Sequence, residues 1–463
     1  MKEKINLFII ISILMLSSIN ILAANIPQEL IMINSQNDNS INSLSIPKES
    51  AEGDITSIWN YTFPNPPQIV AISKDGKNIL GINDSTVNIF HRNSNATLWT
   101  YDVGERINDQ AMSFNGRYIV LGDNRKNVTL LDSISKTDLW HFNDTSGGRS
   151  VYVDISQDGN YIAVANDSGG VYLFDNGPSV GQKNPKWYYD DGTSRIYTDV
   201  AISGNDQYII TGDFGGNITL FNTATSIPKT YEWQFNTTNI IRQVVFSYDG
   251  KHFIASNNDK EVYLFNTTNP HGKPMWNFTS PEHILTIDIS SDGKKIVVCD
   301  STYLYYFNNS FQAGNKTAKW RYSILGDPDP VPKDVAISKF GEYVVMGTFN
   351  PTFYLFNSTK TTPKMPKWKI PILMIESVDI SPLGDYLVFA SGEPLDGGTN
   401  TIYLYHQDIP IPKGLLLLLG DDDDDDDEEE AIPYGNYYLG FAVIAIVGLI
   451  IIMKKKVLIK QNK

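Results

Sequence analysis

Eight tryptophans stand at one fixed point of a repeat, and that regularity limits the fold of this chain more than any other feature. They are Trp59, Trp99, Trp140, Trp187, Trp233, Trp276, Trp320 and Trp368, and the 463 residues contain no others. Between them one phrase returns: an apolar strand, a serine, two residues, a glycine and a second apolar strand. It reads Val70-Ala71-Ile72-Ser73-Lys74-Asp75-Gly76, then Val153-Asp154-Ile155-Ser156-Gln157-Asp158-Gly159, then Val244-Val245-Phe246-Ser247-Tyr248-Asp249-Gly250. The stretches ending at Gly293, Gly341 and Gly384 match it. Two copies are degenerate: Ser113 leads to Gly116, and Ser203 leads to Asp206 where glycine is expected. The anchors 76, 116, 159, 206, 250, 293, 341 and 384 lie 40 to 48 residues apart.

Each copy continues alike. A second strand such as Tyr161-Ile162-Ala163-Val164-Ala165 runs into a Gly/Asn/Asp-rich turn, then a third strand such as Val262-Tyr263-Leu264-Phe265, then a loop and the tryptophan strand. Ser and Asp bond locally in the first turn, and Gly supplies a left-handed residue. Four short antiparallel strands cannot bury both faces of their sheet alone. Units packed radially around an axis can, and a period of roughly 40–45 residues is the mark of that arrangement. The spacing therefore predicts an all-β, eight-bladed β-propeller of four-stranded antiparallel blades over residues 57–408. The tryptophans are predicted to pack between blades. Trp59 precedes the first unit and no Trp follows the last third strand. The Trp59 strand is thus predicted to complete the last blade, leaving no open sheet edge.

The ends carry a different signal. Lys2 and Lys4 precede an apolar run and the small residues Ala23 and Ala24, so residues 1–24 read as a secretory signal peptide, with an uncleaved anchor as the alternative. Residues 25–56 are predicted to be a flexible linker. Residues 437–453 are uncharged and apolar, at the short end of what a transmembrane helix needs, and Lys454, Lys455 and Lys456 follow. By the positive-inside rule the tail 454–463 is cytoplasmic, which places the propeller outside the cell. Between them, 409–436 is a linker with an acidic spacer at 421–430. Without the ten charges of that run the formal net charge of −15 falls to −5, and no clustered Lys and Arg point to nucleic acid. The acidic run could take Ca²⁺ but lacks alternating ligands, so a solvated, self-repelling spacer is the reading adopted. The five leucines 415–419 are too few to span a membrane; they have the propeller rim or the bilayer surface to pack on.

These repeats resemble the WD40-like and quinoprotein-like propeller families. The run Val171-Tyr172-Leu173-Phe174-Asp175 looks like the strand that ends a WD40 repeat, with Phe in place of Trp. Leu264-Phe265-Asn266, with Gly272-Lys273 and Trp276, looks like the tryptophan-docking (PQQ-type) repeat of quinoprotein propellers. The Gly-His and Trp-Asp dipeptides of WD40 repeats are absent, as is the adjacent-cysteine pair of quinoprotein alcohol dehydrogenases. The resemblance thus implies fold and transfers no activity. The signal, spacer and Lys-tailed span also look like prokaryotic, especially archaeal, surface proteins.

Three sets of residues are candidates for function. Arg106, Arg149 and His283 each lie seven residues before the repeat serine and Arg195 lies eight before, so they could ring one mouth of the channel as an anion site. The alternative is that each pairs with an aspartate such as Asp109, Asp154 or Asp199. Thirteen sequons begin at Asn60, Asn83, Asn95, Asn127, Asn143, Asn166, Asn217, Asn236, Asn266, Asn277, Asn308, Asn315 and Asn357. They mark either a glycosylated surface or turns rich in Asn and Thr. Cys299, the single cysteine, sits in an apolar run and reads as a buried small hydrophobe. No phosphate loop, nucleophile elbow or metal-spaced histidine pair stands out, so no catalytic residue, metal or cofactor is predicted. The chain is expected to be a membrane-anchored extracellular scaffold binding a protein or glycan. An extracellular enzyme, quinoprotein-type or hydrolytic, and a structural envelope component are the rival readings.

Overall fold

The computed structural model describes residues 57–407, except 146–149, 178–181, 194, 225–228, 270–271, 310–313, 325–330, 350–351, 360–364, 373 and 393–399. The predicted signal peptide, acidic spacer and transmembrane helix lie outside the described residues. Among these residues no helix is long and apolar enough to cross a membrane.

The strands form eight separate antiparallel sheets, the blades of a propeller. Blade 1 is typical. Its innermost strand Ile69–Ile72 pairs with Asn78–Asn83, which pairs with Thr86–His91, which pairs with Thr97–Asp102 at the rim. Blade 8 takes its outermost strand from the start of the chain. Trp59–Thr62 pairs antiparallel with Thr401–His406, with Trp59 opposite Leu404 and Asn60 opposite Tyr403. The ring closes as expected. Blade 5 departs from four strands: the two-residue strand Gly314–Asn315, from a loop of blade 6, adds in parallel beside Trp276–Thr279.

The repeat's turn rule holds in the backbone. Gly76, Gly116, Gly159, Gly250, Gly293, Gly341 and Gly384 all have φ between 67° and 84°, and Asp206 occupies the same place at φ 60°. A left-handed residue is required there, and Asp tolerates that conformation better than most non-glycine residues.

The core lies between blades, and the tryptophans build it. Each outer-strand Trp faces the third strand of the following blade. Trp59 meets Phe90, Trp140 meets Phe174, Trp187 meets Phe221, Trp233 meets Phe265, Trp276 meets Phe307 and Trp320 meets Phe356, at ring centroid distances of 5.3 to 6.0 Å. Some indoles also bond across the seam, as Trp59 Nε1 does to the Arg92 carbonyl at 2.8 Å. Trp99 and Trp368 lack that phenylalanine: Tyr405 of the next third strand lies in the Trp368 cluster, and Leu131 stands in its place for Trp99, which is only half-buried. Cys299 is fully buried, its Sγ 3.2 Å from the Met346 sulfur, and burial pushes its thiol well above the usual range.

Candidate functional site

The innermost strands leave a problem that the channel residues solve. Each exposes backbone N–H groups on the edge facing the axis, and an unpaired strand edge is costly. Acceptor side chains from the preceding blade reach across to these groups. Asp109 Oδ2 accepts from the Val153 N–H at 2.8 Å, Asp154 from Ile202 at 2.8 Å, and Asp199 from Val244 at 2.8 Å. Gln243 Oε1 accepts from Ile287 at 3.0 Å, Asp288 from Ile337 at 2.8 Å, Asp334 from Val378 at 2.9 Å, and Asp379 from Ile72 at 2.9 Å. The second oxygen of each carboxylate takes the N–H of its own following residue, as Asp154 Oδ1 takes Ile155 at 2.8 Å.

The acceptors stand at two heights. Asp154, Asp288 and Asp379 lie two residues before the repeat serine; Asp109, Asp199, Gln243, Asp334 and Ser377 lie four before. The two heights are complementary. In blade 3 Asp109 of blade 2 takes Val153 while the blade's own Asp154 takes Ile155, so both edge groups are satisfied. Blade 4 reverses the arrangement, with Asp154 on Ile202 and Asp199 on Val200. A β-bulge precedes each upper acceptor, for example between Ile107 and Asp109 and between Pro332 and Asp334. Bulges re-aim side chains in this way.

Burial raises five of these carboxylates, against the pull of their backbone bonds. Asp109 and Asp334 are pushed up to about 7, Asp154 and Asp288 up to about 6, and Asp199 well above its ordinary value. Blade 1 carries no acceptor, having Ile69 and Ala71 at the two heights, and contributes Lys74 instead. Asp379 above all, then Asp288 and Asp154, hold the Lys74 ammonium above its usual range in spite of desolvation. Among the described residues no group of His, Cys, Asp or Glu is arranged to hold a metal ion.

At the serine-turn mouth of the channel, a cavity of about 240 Å³ is lined by the residue after each repeat serine, among them Lys74, Phe114, Gln157, Tyr248 and Lys339. Backbone bonds tie neighbouring turns together here, such as Ser291 N to Lys339 O and Lys339 N to Pro382 O, both 2.9 Å. Gln157 Nε2 passes over Gly204 to the Tyr248 carbonyl at 2.8 Å. A Cβ on Gly204 would collide with both partners, which is why glycine stands there.

The next position in the turn separates the blades into two groups. In blades 1 to 6 the residue two after the serine is Asp75, Asn115, Asp158, Asn205, Asp249 or Asp292, and each accepts from the serine hydroxyl at 2.6 to 3.2 Å. In blades 7 and 8 it is Phe340 and Leu383, which are 53% and 61% exposed. Pro382 sits beside Leu383, and Lys339 lies over the Phe340 ring at 5.6 Å. Within a repeat that otherwise demands a hydrogen-bonding side chain, one sector of the mouth displays apolar surface.

Of the basic residues singled out by sequence, Arg106, Arg195 and His283 lie on the opposite side of the disc, before the innermost strands. Arg195 is half-buried and paired with Asp191 at 2.5 Å and Asp213 at 3.3 Å. Arg106 and His283 are exposed, and Arg149 lies outside the described residues. The aspartates named as their partners, Asp109, Asp154 and Asp199, hold backbone N–H groups, as above.

Of the sequon asparagines, Asn60, Asn95, Asn143, Asn236 and Asn308 are exposed. Asn127, Asn217, Asn266, Asn277 and Asn357 are half-buried, and Asn83 and Asn166 are buried. The Asn315 side chain lies outside the described residues. Several shape turns: Asn266 Oδ1 accepts from the Thr268 N–H and hydroxyl, and Asn357 Oδ1 from those of Thr359. The Asn166 amide donates to Asp144.

No protein-family model matches this chain, and no curated protein matches it. Among solved structures, the β-propeller domain of Cps50 (Swd1) from Myceliophteria thermophila is similar at a TM-score of 0.51. The alignment covers 76% of this chain and 100% of that domain at 13% identity, a likeness of fold. Together with the blade topology it defines the chain as an eight-bladed β-propeller in fold.

Proposed function

We propose that this chain is a cell-surface scaffold, carried on a single C-terminal span, that binds a protein partner through the serine-turn face. The observation that carries the reading is the replacement of the turn acceptor by exposed Phe340 and Leu383 in two adjacent blades. A residue that departs from a repeat's own folding rule and gains no burial is available for recognition outside the fold. Rigid apolar groups beside Lys339 suit an apolar protein segment with an acidic flank. The secretory signal and the lysine-flanked C-terminal run support the surface placement. The test is chemical cross-linking on intact cells producing the full chain, comparing wild type with Phe340→Asp/Leu383→Asp. Protein adducts that disappear in the double variant are expected. Adducts that persist unchanged, or a propeller that membrane-impermeant reagents fail to label, would overturn the reading. Binding to oligosaccharides alone would replace the protein partner with a glycan.

A further inference from the structure

Lys126, Asp144 and Asn166 meet in the seam between blades 2 and 3, away from the channel. Lys126 lies in the turn between Tyr118–Asp123 and Asn127–Asp132 at φ 63°, a left-handed position that Gly169 and Gly216 fill in blades 3 and 4. Its side chain turns inward, and the three residues are buried, at 2%, 9% and 0% exposure. A buried lysine requires partners. Lys126 Nζ lies 3.5 Å from Asp144 Oδ2 and donates to Ser168 Oγ at 3.1 Å. Both of those oxygens also bond to the Asn166 side-chain amide. Asp144 Oδ2 accepts from Asn166 Nδ2, and Ser168 Oγ donates to Asn166 Oδ1 at 3.2 Å. The amine is thus bridged to the amide at both its nitrogen and its oxygen.

Further bonds polarise that amide. Asn166 Oδ1 accepts the backbone N–H groups of Ser168 at 3.0 Å and Gly170 at 2.8 Å. Fixed N–H donors converging on one carbonyl oxygen stabilise negative charge there, as in an oxyanion hole. Tyr172 Oη donates to Asp144 Oδ2 at 3.3 Å and helps to place the carboxylate. The set comprises a nucleophile, a proton carrier and an electrophile with a stabilised oxygen, held together and shielded from bulk water. The matching seam between blades 5 and 6 lacks it. Lys260 takes the same left-handed turn position at φ 66°, but it donates to the Pro281 carbonyl at 2.6 Å, and Ser280 and Asp300 stand where Asp144 and Asn166 do.

We propose that Lys126 and Asn166 join in an amide bond that the folded chain forms by itself. The Asp144 carboxylate takes a proton from the Lys126 ammonium, and the freed Nζ lone pair attacks Asn166 Cγ while charge gathers on Oδ1. Asp144 passes that proton to Nδ2 and takes the second one from Nζ. The Cγ–Nδ2 bond breaks with its electron pair, Oδ1 returns to a carbonyl, and ammonia leaves, recovering the proton from Asp144 as ammonium. One Nζ–Cγ bond replaces one Cγ–Nδ2 bond, and no oxidant or reductant is consumed. The product ties blade 2 to blade 3 covalently and removes Asn166 from the sequons open to a sugar.

The test is peptide mapping by mass spectrometry of the full chain, purified in detergent from a bacterial host that does not N-glycosylate and denatured before digestion with trypsin. An acylated Lys126 resists cleavage. A branched peptide joining residues 126–136 to 150–183, lighter by one ammonia than the two together, is therefore expected. Lys126→Arg, which keeps the charge beside Asp144, and Asp144→Asn are each expected to abolish it and to lower the thermal midpoint. Lys260→Arg is expected to leave the branched peptide in place. The wild-type map decides the matter even where a variant fails to fold. Cleavage after Lys126 together with an unmodified 150–183 peptide would overturn the proposal and leave a buried ion pair. Conversion of Asn166 to aspartate with Lys126 free would overturn it as well, since the carboxylate would then serve water rather than the amine. A branched peptide that survives Asp144→Asn would overturn the role given to Asp144.

Discussion

Blades 1 to 6 and blades 7 and 8 meet the same backbone demand in different ways. All eight turns place a left-handed residue three after the serine, and in all eight the chain reverses at the same point. In blades 1 to 6 an Asp or Asn completes the turn by accepting the serine hydroxyl, and in several it also takes a backbone N–H, as Asp292 does from Lys294 at 3.0 Å. In blade 8 the hydroxyl finds Asp385, two residues further on, and Leu383 is released to solvent. The turn conformation thus survives without an acceptor at its second position. Backbone geometry and inter-blade packing set the fold, and the second turn residue is free to be spent elsewhere.

The widest separation between framework and patch is expected from truncations. Trp276 is fully buried and stacked on Phe307, so Trp276→Ala is expected to cost about 3–5 kcal/mol. Leu383→Ala is expected to fall within about 0.5 kcal/mol of wild type. Denaturant midpoints measure both. A large loss from Leu383→Ala would show the patch to be framework after all.

The channel acceptors give the next largest effect, and its sign is distinctive. Asp109 and Asp334 have native values of about 7 against an ordinary 3.8. Between those limits the native state binds more protons than the unfolded one. Their contribution is therefore greatest below about pH 4 and is lost as pH rises toward 7. Asp132 and Asp175, held low through Arg117 and Lys183 against burial, act oppositely and lose stability as pH falls below 4. The difference between wild type and Asp109→Asn/Asp334→Asn isolates the channel. It is expected to swing in favour of wild type by on the order of 2 kcal/mol for each of the two carboxylates on going from pH 7.5 to 5. Thermal melts at matched ionic strength measure it, and a pH-independent difference would refute the assignment.

The fold was legible because its signals repeat. Eight tryptophans, eight serine turns and a displaced first strand leave one ring closure, and the Trp59 to Leu404 pairing is that closure. The channel was less legible. Asp109, Asp154 and Asp199 are visible in sequence, but their partners are backbone N–H groups of the next blade, which no residue identity betrays. Aligning the copies on the serine would have revealed the two heights, because an acceptor falls two or four positions before it in every blade except the first. Phe340 and Leu383 carried a similar signal, as the only two copies without Asp or Asn at their position. They are readable only once that position is known to be a hydrogen-bonding one. The Gly314–Asn315 strand had no signal, since it depends on a loop of one blade lying along another.

The smallest effect is the most discriminating. Phe340→Asp restores to blade 7 the residue that blades 1, 3, 5 and 6 use, facing the Ser338 hydroxyl and the Glu342 N–H. An exposed phenylalanine contributes little to the fold, whereas an Asp at this turn gains hydrogen bonds worth about 0.5–1 kcal/mol net. The variant is therefore expected to be slightly more stable than wild type. Asp292→Phe, which imposes the blade 7 arrangement on blade 6, is expected to be less stable by a similar amount. Equilibrium denaturation of both variants gives the comparison directly. If Phe340→Asp raises stability and still removes cross-linked partners, stability has been set aside at this turn for recognition. If both substitutions destabilise, Phe340 belongs to its own blade's packing, and the contrast between the two groups of blades is one of sequence drift within a tolerant turn.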